Sequence, residues 1–354
     1  MKKKLQLLAI LALVCTLLTA QPPANYYKSA FGTKKEALKT AMKEIIRPHD
    51  PRSYADLWSD FQVTDKRADG KVWDMYSDCD FTFVINQCGN YQNICDCYNR
   101  EHSMPKSWFN GDVPPMYTDL FHMYPTDGKV NNYRDNYPFG ETNGTQYGSG
   151  KLGASTFPGY TGKVFEPADE YKGDFARTYF YMVTCYEDEV PAWTSSDAMQ
   201  MLNATKYPSF QSWAINLLLK WSRNDEVSQK EIDRNNVVYE LQDNRNPFID
   251  FPQLAEYIWG DSIAYTFDPT APPTQLEDTK ITPPVLYVAD GTLYINISSE
   301  GAFIQLYNAC GQLIIKEQST SGTHNIPLKQ ERFYIVCIND YKGNSWTYKI
   351  LNNK

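Results

Sequence analysis

The chain has 354 residues, 42% of them hydrophobic and 21% charged, and a net charge of −8. That length accommodates one large domain and one small one. The negative balance argues against tight, sequence-specific recognition of DNA through a basic face.

The chain begins with Lys2, Lys3 and Lys4, and residues 5–20 are then almost free of polar side chains up to Ala20. A basic start, a short apolar run and a small-residue end read as a secretory signal peptide over residues 1–20. Its removal takes the charge to about −11. No later apolar run is long enough for a membrane span, so the mature chain is expected to be soluble. Residues 34–46 carry helical periodicity, with Thr33 as the expected cap. Residues 71–85 alternate and carry Val, Trp, Tyr and Phe, which predicts one or two strands.

From 86 to 173 the text is rich in Gly, Pro, Asn, Asp and Tyr and predicts a functional, loop-dominated region built around short elements. Cys79, Cys88, Cys95 and Cys97 crowd into 19 residues directly upstream of His102. Export favours disulfides, so a stapled loop is the preferred reading. A zinc knuckle is the alternative, and the Cys95–Cys97 spacing is tight for one. Seven cysteines follow the signal, an odd number, so at least one thiol has no partner within the chain.

Helices are predicted at 174–187, 209–222 and 228–243, the last opened by a capping box from Ser228 to Glu231, with a short helix near 253–259. A proline-rich linker spans 266–284. Beyond it, short alternating runs at 286–288, 293–297, 303–307, 313–316 and 333–339 predict a small antiparallel β-sandwich over 285–354. The fold class is therefore α+β: a loop-rich, largely helical domain over 21–265 and a β-sandwich.

The chemistry concentrates in Glu101 and His102. A carboxylate beside an imidazole offers a hard-metal ligand next to a proton acceptor. Asn131, about 30 residues later, can complete a metal shell with its amide oxygen. Cleaving a phosphodiester needs an activated water, charge neutralisation and a stabilised leaving oxygen. His102 can take the water proton, and one Mg²⁺ held by Glu101 and Asn131 can do the rest. Mn²⁺ or Ca²⁺ would substitute. On a strand, Glu101 and His102 point to opposite faces, so the pair needs a bend or a metal at the strand edge. Arg134 and Arg177 are candidates to hold phosphate oxygens.

The segment Asn99–Phe109 (NREHSMPKSWF) resembles the signature of the bacterial endonuclease I family. The likeness continues, in order, at Asp119–Pro125, Gly128–Asn136, Ala176–Met182 and Asn244–Phe248, covering about residues 70 to 260. The resemblance implies a ββα-metal (His-Me finger) site and Mg²⁺-dependent, nonspecific cleavage of DNA and often RNA, leaving 5′-phosphates. It assigns His102 as general base and Glu101 and Asn131 as metal ligands, with Glu101 and His102 on a strand and Asn131 on the following helix. Relatives often carry histidine where Phe121 stands, so His122 receives no role. The carboxyl-terminal module resembles sorting domains of type IX secretion, on Ile304–Leu313 and Phe333–Val336.

The expected protein is a secreted, monomeric endonuclease whose partners are nucleic acid and a secretion machinery. The rival reading is a non-catalytic extracellular polymer-binding or adhesion protein. A phosphodiesterase acting on small substrates is a third.

Overall fold

The computed structural model describes residues 22–269, 283–297, 302–319, 322–329, 333–339 and 345–352. The expected signal peptide, and residues 270–282 of the expected linker, lie outside them. The chain divides into two compact units, Met1–Pro269 and Thr270–Lys354.

In the first unit, α1 (Lys35–Ile46) buries Leu38, Met42 and Ile46, one stripe at i, i+4 spacing. Lys34, not Thr33, is its N-cap, and the Thr33 hydroxyl donates to the Ala30 carbonyl instead. A short helix that the sequence pattern did not announce, α2 (Leu57–Thr64), follows and buries Leu57 and Phe61.

The strands expected over 71–85 do not form. Val72 makes only an isolated bridge with Lys66. Local polar chemistry captures the backbone: Asp74 accepts from the Tyr76 N–H and from the Ser77 hydroxyl. Short polar side chains offer the chain turns that compete with a ladder. The aromatic residues of the segment then pack as anchors, with Tyr76 and Phe81 buried. Two disulfides, Cys79–Cys95 and Cys88–Cys97, staple the region. The Asp127 carboxylate lies within 4.8 Å of the Cys79 and Cys95 sulfurs, but the two sulfurs are bonded to each other and offer no thiolate to zinc. Cys185, Cys310 and Cys337 are free.

The loop-rich middle holds a compact strand–strand–helix unit. Strand β1 (Tyr98–His102) pairs antiparallel with β2 (Met123–Asp127), from Tyr98 opposite Asp127 to His102 opposite Met123. Helix α3 (Gly128–Arg134) follows at once. Asp127 caps it, its Oδ1 accepting from the Lys129 and Val130 N–H groups at 2.8 and 2.9 Å. Gly128 opens the helix because a Cβ there would lie 2.6 Å from the Tyr91 ring. A small sheet in the order β3 (Thr145–Tyr147), β4 (Gly150–Ala154), β5 (Lys163–Glu166) comes next.

Helix α4 (Lys172–Cys185) is the centre of the unit, buried from Gly173 to Cys185. Helix α1, α5 (Ser212–Asn224) and α7 (Pro247–Asp250) pack against it. Helix α6 (Gln229–Gln242) opens with the expected Ser228–Glu231 capping box, and α8 (Leu254–Ile258) closes the unit.

The second unit holds two antiparallel sheets. One has the order β10 (Gly322–Pro327), β7 (Thr292–Ile297), β6 (Val285–Ala289); the other, β12 (Ser345–Leu351), β11 (Phe333–Asn339), β8 (Phe303–Asn308), β9 (Leu313–Gln318). Leu293, Ile295 and Ile326 from the first share one core with Ile304, Val336 and Ile338 from the second. Alternate residues point inward from both sheets, the pattern of a sandwich. Strand β10 was not expected: its Gly, His, Asn and Pro carry little strand propensity, and pairing with β7 imposes the conformation.

Candidate active site

Glu101 and His102 occupy the last two positions of β1. Successive strand side chains face opposite ways, and their partners differ accordingly. The Glu101 side chain turns inward. Its Oε1 accepts from the Tyr76 hydroxyl at 2.8 Å and lies 3.4 Å from Nη1 of Arg134. Both contacts fall on Oε1; among the described residues no side-chain donor engages Oε2. Burial raises the Glu101 pKa, opposed by the Arg134 charge, the Tyr76 hydroxyl and the His102 backbone N–H.

His102 faces the other way, against Tyr117 and Tyr54, with ring centroids at 5.0 and 6.1 Å and nearly parallel planes. Its Nε2 lies 2.9 Å from the Tyr117 carbonyl oxygen. A carbonyl only accepts, so Nε2 carries the hydrogen and Nδ1 keeps its lone pair. Burial, then the neighbouring His122 ring, lower the His102 pKa to about 3. The imidazole is therefore neutral at ordinary pH, the form that can take a proton.

Helix α3 brings the third residue. Asn131 and Arg134 stand three positions apart, on one helical face. Both reach β1: Asn131 donates from Nδ2 to Asn99 Oδ1 at 2.9 Å, and Arg134 approaches Glu101. Asn99 and Glu101 share a strand face by the same alternation. The Asn131 amide nitrogen is thus engaged, while its Oδ1 accepts from no described side chain.

The two arginines are placed differently from the expectation. Arg134 is buried; its guanidinium donates to the backbone carbonyls of His102 and Ser103 and to the Tyr179 hydroxyl. It braces the strand end. Arg177 is buried on α4 and grips the Glu231 carboxylate through Nε and Nη2 and the Asp225 carbonyl through Nη1. None of these partners belongs to the Glu101, His102 and Asn131 group, so the structure does not bring Arg177 to it. His122 is wholly buried beside His102, at 5.5 Å between centroids, and bonds the Met116 carbonyl at 2.6 Å.

Tyr76 and Tyr117 escaped the sequence reading. Tyr76 sat inside a segment read as strand, 25 positions from Glu101, and no local pattern marks so distant a contact. An open cavity of about 640 Å³ lies elsewhere, lined by Trp73, Tyr171, Asp69, Asp74, Asp78 and Asp80, with Arg67 paired to Asp69 and Asp80. Its negative lining is unsuited to a phosphodiester.

The strand–strand–helix unit thus brings Glu101, Asn131 and Arg134 together on one side of β1, with His102 on the other. The chain belongs to the endonuclease I family, whose model matches residues 34–253. It is 36% identical over 246 residues to an extracellular ribonuclease of Bacillus amyloliquefaciens, covering 66% of this chain and 78% of the relative. It is equally similar, over 245 residues, to an extracellular ribonuclease of Bacillus subtilis (strain 168), with the same coverage. An extracellular deoxyribonuclease of Aeromonas hydrophila is 28% identical over 137 residues, which are 38% of this chain and 50% of that protein. The chain is therefore a nuclease, a phosphodiester hydrolase, and its disulfides fit an exported protein.

Proposed function

We propose that this chain is an exported, Mg²⁺-dependent endonuclease that cleaves DNA and RNA without sequence preference and leaves 5′-phosphate ends. The observation that carries the reading is the convergence of α3 on β1. Glu101 Oε2 and Asn131 Oδ1, two hard oxygens that meet no side-chain donor among the described residues, belong to one strand face and the helix packed on it. That donor set fits a small divalent cation, which takes oxygen ligands and retains several waters. When bound, the cation neutralises charge on the phosphate and on the leaving 3′ oxygen.

His102 Nδ1 accepts the proton of the attacking water, and the Tyr117 carbonyl holds the ring in the tautomer that makes this possible. Tyr76 and Arg134 fix the Glu101 carboxylate by its other oxygen. Arg177 belongs to the scaffold, not to the phosphate. Relatives named as ribonuclease and as deoxyribonuclease support action on both polymers. One chain carries the whole strand–strand–helix unit, so a monomer suffices. The β-sandwich unit is an export module of the type IX sorting kind, and residues 1–20 are the signal that precedes it.

Plasmid DNA and ribosomal RNA, each incubated with Mg²⁺ and with a chelator, test the reading. Both should be degraded with Mg²⁺ alone. His102→Ala should lower the rate at least about a hundredfold. Parental activity in chelator, or in the variant, would sink it, and an inert parent would favour the polymer-binding alternative.

A further inference from the structure

We propose that Arg100, clamped between Tyr54 and Trp58, holds a backbone phosphate of the nucleic acid that flanks the scissile one. This rests on the nuclease reading above and adds a substrate-binding residue to it.

Arg100 stands two positions before His102 on β1, hence on the same strand face. Its guanidinium carbon lies 3.6 Å from the Tyr54 ring centroid and 4.4 Å from that of Trp58. Nη1 donates to the Tyr54 carbonyl at 2.7 Å. Among the described residues no carboxylate pairs with it, and the side chain is half-buried, with part of its surface open to solvent. A guanidinium packed against two rings and bonded to a carbonyl has already given up part of its rotamer freedom, so binding an oxyanion costs less further ordering.

The clamp is part of the site's own framework. Tyr54 stacks on Tyr117 at 4.6 Å, and both rings lie nearly parallel to His102. Lys106 sits 5.3 Å from the Tyr117 centroid, though it shares its charge with Asp112 at 2.7 Å.

The contrast with the other arginines decides the assignment. Arg134 and Arg177 are buried and their donors face inward. On a chain of net charge −8, a polyanion needs a local cation that is not already neutralised. Arg100 meets that condition beside the general base.

The test is binding of a short fluorescent single-stranded oligodeoxynucleotide to the full chain in EDTA over a salt series, followed by cleavage kinetics in Mg²⁺. For Arg100→Gln the slope of log Kd against log salt should shrink by about 0.7, the value of one phosphate contact on a single strand. KM should rise about tenfold, with a smaller change in kcat. Lys220→Gln makes the same change in net charge at a lysine paired with Glu141 and should leave the slope as it was. A parental slope in Arg100→Gln, or an equal loss in Lys220→Gln, overturns the proposal. Should Arg100→Gln fail to fold, Arg100→Lys carries the test: it keeps the charge and loses the planar clamp. Its KM should rise while the salt slope holds, and an unchanged KM overturns the proposal. A parent that cleaves nothing in Mg²⁺ defeats the nuclease reading instead, so the two failures are distinguishable.

Discussion

A carboxylate exposed by only 3% of its surface has to be held by partners that keep it charged. For Glu101 those partners are the Tyr76 hydroxyl and the Arg134 guanidinium, both on Oε1. Their arrangement orients the other oxygen, in the way outer partners commonly orient a metal ligand. Tyr76→Phe removes the hydroxyl and keeps the ring. It should raise the Mg²⁺ concentration for half-maximal cleavage about tenfold, with little change in rate at saturating Mg²⁺. Titration calorimetry of Mg²⁺ binding, beside the activation curve, checks it; equal curves for parent and variant would show that the hydroxyl positions nothing. Glu101 and His102 were readable from the sequence because they are adjacent and chemically conspicuous. Tyr76 and the Tyr117 carbonyl were not, because a hydroxyl and a backbone oxygen acquire their roles only from distant neighbours.

Among the elements, the β1–β2–α3 unit is short and weakly periodic, so spacing alone predicts only short elements in a loop-rich stretch, while the family resemblance places Glu101 and His102 on a strand and Asn131 on the following helix, as in β1 and α3. The capping box at Ser228 was legible because its two hydrogen bonds lie within four residues. Glu231 also receives Arg177 across from α4, and burial together with the nearby Asp174 raises its pKa to about 7 against the pull of that guanidinium. The pair ties α4 to the start of α6. Breaking a buried pair leaves an uncompensated charge. Arg177→Met should therefore lose about 3 kcal/mol or more of unfolding free energy, and adding Glu231→Met should recover part of it. Urea unfolding of the three proteins measures this. Full stability in Arg177→Met, coupled to lost cleavage, would return Arg177 to the substrate.

For the whole molecule, histidine burial sets the response to acid. Burial pushes the His122 pKa down to about 4, against the attraction of Asp119 and the Met116 and Met104 backbone bonds. The unfolded chain titrates that group near 6.5. Above about pH 6.5 both states are neutral there and stability is at its full value. As pH falls from about 6.5 towards 4, the unfolded chain binds the proton and the folded one does not, so stability is lost. The shift corresponds to about 3 kcal/mol. His122→Gln should flatten the decline between pH 7 and pH 4.5 in urea unfolding, leaving the share of His102. An unchanged pH dependence would show that His122 does not carry the effect.

The sequence by itself determined the endonuclease I family membership, the acid–imidazole pair, the long helices and the β-rich carboxyl-terminal unit. Each of these is written in local spacing, turn chemistry or ordered motifs, and so survives reading along one dimension. Only the tertiary structure decided that residues 71–85 turn instead of pairing, which cysteines join, and that Arg177 is a tie between helices. The same holds for Arg100, which is left open beside His102. Those outcomes depend on which distant groups meet in a packed interior, where burial and partner geometry, not residue type, fix whether a charge faces the core or the solvent.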